Sequence, residues 1–78
     1  MSVTIQSNGP EIGKDKTRIT EAFRKYKKKH PIGSVVTKIE FEVVLKERGK
    51  ARVKADAQKN GDKYTVTVKS IQIKGKQD

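Results

Sequence analysis

Seventy-eight residues suffice for one domain, residues 1–78, whose small core buries about 60–65% of the surface exposed on unfolding. The absence of cysteine excludes disulfides, thiolate metal sites and a cysteine nucleophile, and no apolar run reaches the length of a membrane span. Nineteen Lys and Arg against nine Asp and Glu give a net charge of +10, carried with 32% apolar residues in a clear pattern, which argues against disorder.

Such an excess of positive charge suits a polyanion partner or, alternatively, a lysine-rich solubilising surface. The start MSVTIQSNG has no signal-peptide character, so the expectation is a cytoplasmic protein.

Val3 and Ile5 alternate with Thr4 and Gln6, which predicts a first strand over residues 2–7. Ser7-Asn8-Gly9-Pro10 ends it, because proline donates no ladder bond and Asn-Gly favours a turn. Ile12 is expected to plug the connection. A helix over residues 16–29 follows, with Asp15 or Thr17 as N-cap. Ile19, Ala22, Phe23 and Tyr26 fall at i, i+3, i+4, i+7 and form one apolar stripe. His30 precedes Pro31, whose ring pushes it out of the helical region. The lysines of the last turn suit the negative end of the helix dipole.

Residues 34–46 carry the strongest strand signal. Val35, Thr37, Ile39, Phe41, Val43 and Leu45 fall on one side, with Val36, Lys38, Glu40, Glu42, Val44 and Lys46 on the other. Glu47-Arg48-Gly49 reads as a three-residue turn with a glycine bulge. It predicts the pairs Leu45–Ala51, Val43–Val53, Phe41–Ala55 and Ile39–Ala57, with Glu42 opposite Lys54 outside. Asn60-Gly61 reads as a type I′ turn pairing Ala57 with Tyr64, Ala55 with Val66 and Val53 with Val68. Beyond Val68 the alternation changes phase, and a bulge at Lys69–Ser70 would return Ile71 and Ile73 to the inner face.

The expected fold is α+β: β-α-β-β-β, with one helix packed across a curved, mostly antiparallel four-stranded sheet. The first strand is expected beside the long second one.

Chemistry finds little to work with. His30 is the sole histidine and has no visible partner to orient it as a base. The carboxylates are scattered among lysines, and GPEIGKD fails the phosphate-loop spacing. No catalytic residue, metal ligand or cofactor is assigned, and the chain is read as a non-enzyme.

Backbone binding to nucleic acid fits better. Residues 16–29 hold seven basic residues against one acid, and a second cluster lies at the hairpin. The candidate contacts are Arg18, Arg24, Lys25, Lys27, Lys28, Lys29, Arg48, Lys50 and Arg52. The four aromatics, Phe23, Tyr26, Phe41 and Tyr64, are assigned to the core. Base stacking is therefore not expected, and RNA or DNA would be met through phosphates and shape.

The order strand, helix, long hairpin, strand, with ITEAFRKYKKK (19–29) followed by KIEFEVVLKE (38–47), is similar to the ribosome hibernation factor domain. That resemblance implies an RNA- or ribosome-associated module; the family carries a second long helix after its last strand, which these residues do not include. The order also resembles cystatins, whose Gln-x-Val-x-Gly loop is not matched by Glu47-Arg48-Gly49-Lys50, so protease inhibition is not implied. Two other readings stay open: an engineered scaffold without natural activity, because pattern and turns agree so well, and a protein-interaction module for an acidic partner. A monomer is expected, with a weak dimer through the sheet (Val36, Val44) as its alternative.

Overall fold

Alternating and helical apolar periods place six elements along the chain in a computed structural model that describes residues 2–45 and 48–75. They are β1 (Ser2–Ser7), a 3-10 turn (Gly13–Asp15), α1 (Lys16–Lys29), β2 (Thr37–Leu45), β3 (Gly49–Asn60) and β4 (Lys63–Gly75). The α+β class stands: one helix covers one face of a four-stranded mixed sheet.

The helix follows its stripe. Ile19 and Phe23 are fully buried, while Ala22 and Tyr26 pack half-buried against the same core. Asp15 holds the N-cap position and is buried, yet its side chain makes no capping hydrogen bond. At the other end the His30 N–H donates to the Tyr26 carbonyl at 2.9 Å, and Pro31 stops the helix there. Ile12 and Ile32, one on each side of the helix, close the core.

Strand order is β1-β4-β3-β2, with β1 parallel to β4. This corrects the expectation that β1 lies beside β2. Ile5 falls opposite Val66 and is buried there, beside the apolar row Tyr64, Val66 and Val68.

Both hairpin registers differ from expectation by two residues. The first pairs Leu45 with Gly49, Val43 with Ala51, Phe41 with Val53 and Ile39 with Ala55. Gly49 has φ +83, as a bulge glycine needs, but it is the first paired residue of β3 and not the end of the loop. Glu47 lies outside the described residues. In the second hairpin Asn60 pairs with Lys63, so the turn centres on Gly61-Asp62. Gly61 has φ +61 and no described non-glycine residue has positive φ, which is the type II′ combination and not I′. Moving a turn by one residue moves each partner by two, so inside still meets inside.

The bulge at Lys69 forms as expected: Ser70 pairs with Lys54 and Val68 with Ala55, leaving Lys69 over. Ile71 thereby packs half-buried on the core, whereas Ile73, beyond the covered area, stays 44% exposed. The second strand also begins later than its pattern suggested. Thr37 faces Ala57, the last β3 partner of β2. Before it the chain is held differently: the Gln58 amide donates to the Ser34 carbonyl and the Lys59 N–H to the Gly33 carbonyl, both at 2.8 Å. Val35, expected inward, is consequently 75% exposed.

Candidate nucleic-acid interface

The sheet face away from the helix is built from the polar alternates of β2, β3 and β4. Opposite charges there meet across strands. Arg52 reaches Glu40 at 3.0 Å and Glu42 at 3.6 Å, Lys54 reaches Glu40 at 3.8 Å, Lys69 reaches Asp56 at 3.6 Å, and Lys74 reaches Glu42 at 2.7 Å. The Lys74 ammonium, hydrogen-bonded to Glu42, is the main reason that this carboxyl is held below its ordinary pKa. Arg52, a candidate phosphate contact by sequence, is thus enclosed by two carboxylates.

The helix presents the opposite situation. Arg24, Lys25, Lys28 and Lys29 are exposed, and among the described residues none has a carboxylate within 4.0 Å. Arg24 and Lys28 stand one turn apart, about 6 Å along the axis. Arg18, on the flank, donates to the Val44 carbonyl at 3.4 Å. Lys27 is drawn inward, its Nζ 5.2 Å from the centre of the Tyr64 ring, with the Lys59 Nζ 5.8 Å from the same ring. Arg48 is exposed in the β2–β3 turn. Lys50 joins Arg18 and Lys25 around a groove of about 360 Å³ at the β2 edge. The fold therefore brings one hairpin cation to the helix flank and leaves Arg52 and Lys27 committed elsewhere.

The aromatics divide into two pairs. Phe23 and Tyr64 are buried edge to face at 5.8 Å. Tyr26 and Phe41, also assigned to the core by sequence, are half-buried with ring centres 5.9 Å apart. Tyr26 stacks on His30 at 4.5 Å, an arrangement that the i, i+4 spacing could have revealed. The histidine thus occupies one face of the Tyr26 ring.

Among the described residues no group of three His, Asp or Glu comes together as metal ligands, and no helix is long and apolar enough to cross a membrane. Comparison with protein-family models, curated proteins and solved structures finds no match.

Proposed function

We propose that the protein binds the phosphate backbone of RNA or DNA through the solvent face of α1, preferring structured or duplex strands and reading no sequence. The supporting observation is the segregation of charge. The described ion pairs lie on the far face of the sheet, while among the described residues no carboxylate comes within 4.0 Å of Arg24, Lys25, Lys28 or Lys29. Flexible cations on successive turns of one helix can follow successive phosphates, and releasing counterions drives the association. With Phe23 and Tyr64 buried and one face of Tyr26 stacked on His30, base stacking adds little.

The test is a titration of duplex RNA, duplex DNA and single strands at two salt concentrations. Dissociation constants of about 10⁻⁴–10⁻⁶ M at physiological salt are expected. Replacing Arg24, Lys25 and Lys28 together by glutamine should weaken all strands alike. The logarithmic salt slope should fall by roughly 2–3 units, since each phosphate contact contributes about 0.9. An unchanged slope in the triple variant, or equally feeble binding of every ligand, would refute the reading.

A further inference from the structure

β2 is the last strand of the sheet, and among the described residues no strand lies on its outer side. The Arg18 guanidinium donates to the Val44 carbonyl from that side, so the Val44 backbone points out of the sheet at the edge. In an antiparallel strand the N–H and C=O of one residue point the same way, and the direction alternates along the chain. Lys38, Glu40 and Glu42 therefore also present their N–H and C=O groups to the open edge, whereas Ile39, Phe41 and Val43 bond to β3. From 38 to 44 this makes a strand edge about 20 Å long.

The groove at this edge is touched from both faces of β2. Arg18, Ala22 and Lys25 of the helix line it on one side, Val44 and Lys50 on the other, and Val43 forms its back. A cavity that wraps an open strand edge in this way occupies the place of a next strand. Its walls carry three cations, with Glu21 as the one helix acid and Glu42 already held by Lys74 and Arg52.

We infer that this edge is a docking site for an extended acidic peptide, which adds to the sheet as a fifth strand beside β2. Main-chain bonds to Lys38, Glu40 and Glu42 supply the pairing, as in other strand-addition complexes. Carboxylates at alternate peptide positions face the helix flank, where Arg18 and Lys25 meet them, while Lys50 adds positive charge from the other face of the strand. The small floor of Ala22 and Val43 admits short stems only. A second copy of the chain fits poorly. Two-fold pairing through the same outward residues brings two cationic helix flanks together, and its central register sets Glu40 against Glu42 of the other copy. This site shares Lys25 with the solvent face of α1 but not its other cations, and it stands whether or not that face binds nucleic acid.

The probe is a fluorescein-labelled octapeptide of alternating glutamate and threonine, compared with its lysine–threonine counterpart by anisotropy. The acidic peptide should bind at least tenfold tighter than the basic one. Glu40→Pro removes an N–H that faces outward, a position where proline leaves the β2–β3 ladder intact. It should weaken peptide binding tenfold or more, while Glu40→Ala, which loses only the carboxylate, stays within about twofold of the parent protein. Lys25→Gln should weaken binding two- to fivefold, and a short oligonucleotide should bind Glu40→Pro and the parent alike. If Glu40→Pro does not fold, the unmodified protein decides the matter with a peptide N-methylated at alternate residues. A second peptide, methylated at the intervening residues, blocks the other edge, and at least one of the two should lose binding, because a strand donates to its neighbour through one edge only. Equal binding of the parent and both methylated peptides, unchanged binding to folded Glu40→Pro, or no preference for the acidic peptide overturns the inference.

Discussion

Ala51, Ala55 and Ala57 line the inner face of the central strand β3 and are 0–2% exposed, in one core with Ile19 and Phe23. A sheet under a helix with two large buried side chains needs small residues somewhere, and β3 supplies them. Ala55 lies between Ile39 on β2 and Val68 on β4, so a larger side chain has no lateral escape. Ala55→Leu should cost about 1–3 kcal/mol despite its greater hydrophobicity. Calorimetry should show a melting temperature lower by roughly 4–8 °C per kcal/mol in a domain of this size. An unchanged or higher melting temperature would mean that the site has spare volume. The reading that small residues on β3 make room for the helix was available from sequence, although their cross-strand partners were not.

Among the elements, the β3–β4 turn shows how local chemistry can be read correctly and positioned wrongly. Asn60-Gly61 signals a hairpin at this point, and a hairpin forms. The glycine takes the first central position, with Asp62 second, because its positive φ is needed before the return strand. A Cβ at Gly61 would meet nothing within 4 Å, so any cost of substitution is conformational and not steric. Gly61→Ala should destabilise by about 1–2 kcal/mol, the penalty of a left-handed backbone for an L-residue. D-alanine at the same position, introduced by chemical synthesis, should avoid that loss, and denaturant midpoints compare the two. Equal destabilisation by both enantiomers would contradict the conformational explanation. The bulge at Lys69 was legible for a related reason: an alternation that breaks phase must either bury polar residues or insert one residue, and insertion is cheaper.

At the scale of the molecule, charge is distributed by face: paired on the open side of the sheet, and on the helix without an ion pair among the described residues. Its exposed large apolar residues do not gather. Val35 and Val36 precede one end of β2, Val44 lies near the other, and Lys38, Glu40 and Glu42 stand between. Among the described residues these valines and the exposed Ile73 on β4 make no patch where burial alone could hold two copies of a +10 chain together. Sedimentation should therefore show a monomer at every concentration, at low and at moderate salt. A concentration-dependent dimer would mean that the β2 edge pairs with itself in spite of its glutamates.

The sequence by itself determined the element types, the inner and outer faces of each strand, the bounds of β1 and α1, and the bulge, since each follows from a period or a turn residue within a few positions. It also showed where the basic residues gather along the chain. Tertiary structure alone decided that β1 joins β4, because a six-residue strand carries no local mark of its partner, and burial of Ile5 beside Val66 selects the edge. It likewise decided the hairpin registers, for which shifts of two residues preserve the alternation and look identical in a pattern. The candidate site divides in the same way. That Arg24, Lys25 and Lys28 face outward is written in the helical period, but the pairing of Arg52 with Glu40 and Glu42 depends on cross-strand register. The meeting of Lys50 with Arg18 and Lys25 depends on where the helix crosses β2, which packing sets and no local signal encodes.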